Sequence, residues 1–213
     1  MKALLALIML VAGGIVFAVR PSLAEGTDSN SGWSVHNIFA ACSGDCGVFI
    51  FGGLSITRSP LQRIVIGDAP IRSDNTQLVG LAISRPALTY SDWFAIEAEA
   101  GAGQRIGNMH EEQFWAALYF RVKPFPTNRF IRTSIAVSTG LDIATGISAL
   151  ERRRSYGHPS LILHNFSPEI TFALPDYPET QLVFRIQHRS GLYGLINNGS
   201  GTTFLALGLR HFF

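Results

Sequence analysis

Apolar and polar residues alternate one for one over long stretches of this chain, the period of strands whose two faces meet different surroundings. Residues 112–123, EQFWAALYFRVK, set Phe114, Ala116, Leu118, Phe120 and Val122 against Trp115, Tyr119 and Arg121. Residues 92–103 oppose Phe94, Ile96, Ala98 and Ala100 to Glu97 and Glu99. Residues 129–141 oppose Ile131, Thr133, Ile135 and Val137 to Arg132, Ser134 and Ser138. Similar segments at 47–57, 77–86, 160–174, 181–191 and 202–213 bring the predicted strands to eight. Each is close to the roughly 9–11 residues with which a tilted strand crosses a bilayer, or slightly longer.

The links between these strands are sorted by length. Residues 87–91, 124–128 and 175–180 are short, and the last two carry Pro with Asn or Asp, which fix φ or bond the local backbone in turns. Residues 58–76, 104–111, 142–159 and 192–201 are mostly longer. Short turns at one end and long loops at the other are the mark of outer-membrane barrels, turns in the periplasm and loops outside. A soluble secreted β-sandwich, the competing all-β reading, has little reason to sort its links this way. The expected fold is all-β: an eight-stranded antiparallel transmembrane β-barrel.

Composition agrees. Of 213 residues, 47% are hydrophobic and 15% charged, against about 25% charged in ordinary soluble domains. After residue 20 no apolar run is long enough to cross a bilayer as a helix. The net charge of +2 is far from the basic balance of a nucleic-acid binder. At the front, Lys2, the uncharged run Ala3 to Val19 and the small residues Ser22 and Ala24 before Glu25 form a secretory signal peptide. Residues 1–24 are therefore expected to be removed, 25–46 to form a periplasmic leader, and 47–213 to form the barrel. Cys42 and Cys46, the only cysteines, are expected to form a local disulfide in that oxidising compartment. A metal at this pair is disfavoured, because no second Cys or His pair accompanies it.

An eight-stranded barrel is only wide enough for side chains to fill it. Glu97, Glu99, Glu169, Arg121, Arg132, Arg185 and Arg189 are accordingly expected to pair inside, where they exclude a solute channel.

One strand carries a different kind of polar group. In residues 181–191, Leu182, Phe184, Ile186, His188 and Ser190 share a face. If both termini are periplasmic, this strand runs outward, and His188 and Ser190 lie near its extracellular end, facing lipid. An imidazole and a hydroxyl two residues apart on one face are the minimum for activating a serine nucleophile. The plainer alternative is a pair of ordinary polar residues at the barrel rim. Glu151, Arg152, Arg153 and Arg154 fall in a long outer loop, where guanidiniums suit lipid phosphates; a simply solvated charged loop is the alternative.

The segment RIQHRSGLYGLINNGSGTTFLALGLRHFF resembles the end of the lipid A 3-O-deacylases, the PagL-type or acyloxyacyl-hydrolase-like outer-membrane barrels. It shares with them a His-x-Ser motif on the penultimate strand, a Gly/Asn-rich loop and a final strand ending in an aromatic. The likeness covers residues 160–213 and is only architectural before them. It implies residence in the outer membrane of a Gram-negative bacterium and removal of an ester-linked acyl chain from lipid A of lipopolysaccharide, with no metal or other cofactor. His188 maps onto the general base and Ser190 onto the nucleophile. Two positions depart from the family. Gly191 stands where the family has an Asn thought to help the oxyanion site. Gly201, Thr202 and Thr203 stand where it has the Glu that orients the His. No acid lies between Ser190 and Phe213; Asn197 or Asn198 is a candidate substitute, as Asn serves in Cys-His-Asn sites. The alternative function is a non-catalytic barrel that binds lipopolysaccharide or stiffens the membrane.

Overall fold

A computed structural model describes residues 32–56, 75–123, 130–155, 159–196 and 201–213. The alternating segments form β1 (Trp33–Val35), β2 (Gly47–Ser55), β3 (Thr76–Tyr90), β4 (Phe94–Gly107), β5 (Glu112–Val122), β6 (Arg132–Ala144), β7 (Ile162–Phe166), β8 (Glu169–Leu174), β9 (Tyr177–Ser190) and β10 (Thr203–Phe212). Antiparallel pairing runs from β2 round to β10, and β10 pairs back onto β2, so the sheet closes. β7 and β8 share one place in the wall. The pairs Gly140↔Asn165 and Ala136↔Glu169 are four residues apart on both strands, so the register never slips. The interruption is Pro168, which has no N–H to donate. Its carbonyl still accepts from the Ile186 N–H at 2.9 Å, and the Ser167 N–H is taken by Ser138 Oγ at 2.7 Å. The wall is thus a closed, eight-stranded antiparallel barrel, with residues 160–174 acting as the single strand their pattern predicts.

Two boundaries differ from expectation. β4 continues to Gly107, so the expected loop 104–111 shrinks to the four residues 108–111. Within the strand, Gly101 serves packing: a Cβ there would lie 2.2 Å from the Trp115 ring. β3 likewise runs through Pro86 to Tyr90, with an irregularity between Pro86 and Leu88, and the turn expected at 87–91 is displaced to 91–93.

The expected leader is stitched to the barrel over its described part. β1 pairs with Leu88–Tyr90 of β3, and Cys42 and Cys46 are disulfide-bonded. Cys46 and Phe213 exchange backbone hydrogen bonds at 2.9 and 3.4 Å. Arg85 Nε donates to Asp45 Oδ2 at 2.8 Å. The Ser43 N–H and the Arg85 guanidinium hold the Asp45 carboxyl below its ordinary pKa. Residues 1–24, the expected signal peptide, lie outside the described residues.

Inside, three guanidiniums meet three carboxylates. Glu169 accepts from Arg121 Nη2 at 2.5 Å, Arg185 Nη2 at 2.6 Å and Arg210 Nη1 at 2.9 Å. Glu99 accepts from both terminal nitrogens of Arg185 at 2.7 Å and from Trp115 Nε1 at 2.9 Å. Glu97 accepts from Arg121 Nε at 2.8 Å. Arg185 also lies over the Phe49 and Tyr119 rings, 4.5 and 4.7 Å from their centroids. Buried charges persist when hydrogen-bonded and paired in this way. Phe49, Phe51, Leu78, Trp115, Val183 and Phe204 pack beside them. Arg132 is a correction: it begins β6 at the rim and is exposed rather than paired inside.

A second charged layer fills the loop end. Helix α1 (Ala149–Arg154) opens with Ser148, whose side chain accepts from the Glu151 N–H while Glu151 accepts from the Ser148 N–H, a reciprocal cap. Glu151 is thereby turned into the barrel mouth, 3% exposed, within 3.4 Å of Arg105 and 3.6 Å of Arg189. Arg152 and Arg153 are exposed. The run 151–154 is therefore not a uniformly solvated loop; its acid plugs the mouth.

The outer face is the reverse. Ile50, Leu54, Val79, Leu81, Ile83, Phe114, Leu118, Leu141, Phe184, Leu207 and Leu209 all stand exposed around it. Trp33, Tyr90, Trp93 and Phe94 cluster at the turn end with ring centroids 4.7–6.2 Å apart. An apolar belt edged by aromatics is the surface with which a barrel meets a bilayer. Among the described residues no helix is long and apolar enough to cross a membrane.

Candidate active site on the outer wall

β9 is oriented by its inward side chains. Val183, Arg185, Gln187 and Arg189 are buried, and Arg185 is locked by Glu99 and Glu169. Arg189 Nε lies 3.3 Å from Asp142 Oδ1, and its Nη2 donates to the Leu161 carbonyl at 2.7 Å. Because neighbours along a strand point to opposite faces, fixing Arg189 fixes His188 and Ser190 outward on either side of it. Both are half-buried at the loop end of the wall, as their alternation predicts.

Register supplies their neighbours. His188 is the direct cross-strand partner of Thr203 on β10 and of Phe166 on β7. Its Nδ1 is hydrogen-bonded to Thr203 Oγ1 at 2.8 Å. With Nδ1 engaged, proton exchange with a reacting hydroxyl falls to Nε2. Ser190 is the direct partner of His164 on β7, and Cβ atoms of such partners lie about 4.5–5.5 Å apart. His164 Nε2 is bonded to Thr139 Oγ1 at 2.9 Å, while its buried Nδ1 has no hydrogen-bond partner among the described residues. Among the described residues no hydrogen bond joins His188 to Ser190. None of Phe166, Thr203 and His164 is a carboxylate, so Thr203 holds the imidazole with a neutral hydroxyl.

The other candidates scatter. Gly191 is buried where β9 leaves the sheet, and its carbonyl accepts from the Gly194 and Ile196 N–H groups at 3.2 Å each. Asn197 and Asn198 lie outside the described residues. Arg152 and Arg153 project from α1, and the backbone of Arg154 completes that helix. Through Glu151 and Arg189, α1 is tied to the segment that separates His188 from Ser190. His164 escaped sequence reasoning, since its place beside Ser190 depends on how β7 and β9 pair. Among the described residues no group of three His, Cys, Asp or Glu is disposed to hold a metal ion.

No family model matches the chain, and no curated protein does. The chain is similar to the crystal structure of the outer membrane protein OprG from Pseudomonas aeruginosa, at 12% identity and a TM-score of 0.41, over 81% of this chain and 97% of that one. A likeness that weak says nothing of activity.

Proposed function

We propose that this barrel resides in the outer membrane of a Gram-negative bacterium, loops outward, and hydrolyses an acyl ester of lipid A in lipopolysaccharide. One observation carries this reading: a serine on a lipid-facing wall, with one imidazole two residues along its strand and another directly across from it. Ser190 Oγ attacks the ester carbonyl as His188 Nε2 takes its proton. The imidazolium returns that proton to the departing sugar alkoxide, leaving an acyl-serine that water hydrolyses to the free fatty acid. Thr203 keeps the His188 ring in place, the task an acid performs in most such sites. The Gly191 N–H is the candidate donor to the oxyanion, and Arg152, Arg153 and Arg154 are candidates for the lipid A phosphates. The resemblance of residues 160–213 to the lipid A deacylases points the same way.

The second reading, a non-catalytic barrel that binds lipopolysaccharide, is favoured by the hydroxyl of Thr203 where an acid is expected. Mass spectrometry of lipid A from a Gram-negative host separates the two. The hydrolase reading expects loss of one acyl chain with the wild-type chain and none with Ser190→Ala. An intact lipid A in both, or equal loss in both, overturns it. Recovery of the protein in the periplasm instead of the outer membrane would overturn the location.

A further inference from the structure

On β4 the sequence EAEAGAG leaves only alanine facing out, at Ala98, Ala100 and Ala102, and Ala116 of β5 lies directly beside Ala100. Phe114 and Phe120 stand higher on either side of this floor. The result is a groove of about 720 Å³ on the outer wall, lined by Ala98, Ala100, Ala116, Leu118, Thr139 and Leu141. Its foot is closed by Ile38 and by Cys42 and Cys46 of the disulfide.

The groove is aligned with the serine. Ile83, Ala100, Ala116, Leu141, His164 and Ser190 are successive direct partners across the wall. Five strand spacings make that row about 24 Å long. With strands tilted by about 35–45°, it descends about 15 Å from the loop end, half the roughly 30 Å of a bilayer core. The row therefore spans one leaflet. Thr139 belongs to both features, lining the groove and bonding His164.

We infer that this groove seats one long acyl chain of the lipid A molecule whose ester is presented to Ser190, and that the disulfide-bearing foot limits chain length. Delivery of an ester to Ser190 rests on the hydrolase reading; seating of the chain does not. Leaflet length fits an acyl chain, and the groove's opening onto the lipid-facing wall lets a chain enter sideways without leaving hydrocarbon.

Ala116→Leu fills the floor, and Gly52→Leu on β2 is the control, because a Cβ added there meets nothing within 4 Å. In the lipid A assay, Ala116→Leu should slow acyl removal about tenfold or more, while Gly52→Leu should stay within about twofold of wild type. Equal rates in wild type and Ala116→Leu overturn the groove and leave the hydrolase standing. If the wild type removes no chain, the hydrolase fails and a binding measurement decides the groove. The Ser190→Ala protein is placed in phosphatidylethanolamine vesicles with lipid A carrying a diazirine at an acyl terminus, irradiated and mapped by peptide. Labels concentrated on β4 and β5 support the seat. Labels spread around the belt, equal labelling by a diazirine phospholipid, or a cross-linked pair of barrels covering the groove overturn it.

Discussion

The lumen and the outer patch of this barrel both hold polar groups, but they treat them differently. In the lumen charge meets opposite charge in a shared network: Glu169 alone meets three guanidiniums, and all three of those also reach Glu99 or Glu97. On the outer wall, Thr139, His164, Ser190, His188 and Thr203 share only single hydrogen bonds, with no opposite charge among them. The first arrangement spends its polarity on holding the cylinder together. The second leaves an imidazole nitrogen and a hydroxyl without strong partners in an apolar setting, which costs stability and is retained where chemistry or binding uses it. Partner count, not polarity, separates scaffold from candidate site.

That contrast breaks most directly at its densest point. Glu169→Leu leaves Arg121, Arg185 and Arg210 short of charge and should cost about 3–5 kcal/mol, seen as a lower urea midpoint for the barrel in lipid vesicles. A loss near that of an ordinary surface change would mean the lumen is no more committed than the patch. Glu151→Ala removes both the reciprocal cap of α1 and its hold on Arg105 and Arg189. A loss of about 2 kcal/mol is expected, with faster proteolysis between residues 145 and 161 and the rest of the barrel resistant. Thr203→Glu gives the outer patch the charged partner it lacks. If Ser190 is a nucleophile, acyl removal should rise about tenfold, roughly 1.4 kcal/mol of barrier. An unchanged or lower rate would show that Thr203 is already the working partner. The smallest effect concerns Asp45 at the turn end. Its folded pKa lies below the unfolded 3.8, so its contribution is complete above about pH 4 and fades only as pH falls towards the lower folded value. Proteolysis between residues 36 and 46 should be flat through neutral and mildly acidic pH and rise only in that acid window.

Much of this contrast was legible in the sequence, because period-two alternation assigns a face to each strand residue without any knowledge of its neighbours. Glu97 and Arg121 inside, and His188 and Ser190 outside, follow from it directly. What it leaves open is which strand positions meet. His164 reaches Ser190, and Thr203 reaches His188, through registers set by segments up to 26 and 15 residues away in the chain. Helix α1 is a different kind of miss. Ser148 and Glu151 carry the Ser-x-x-Glu spacing of a capped helix start, so the signal was present but lay hidden in a stretch that looked like charged loop.

The filled lumen has a consequence for the cell that carries this protein. Rings and matched charges occupy the interior that the described residues enclose, and Glu151 of α1 sits in its mouth between Arg105 and Arg189. If Ser190 acts on lipid as proposed, a barrel filled in this way adds working surface to a membrane, and planar-bilayer recordings should show no added conductance. Its copy number is then set by the area of lipid it must serve, and not by the leak the membrane tolerates.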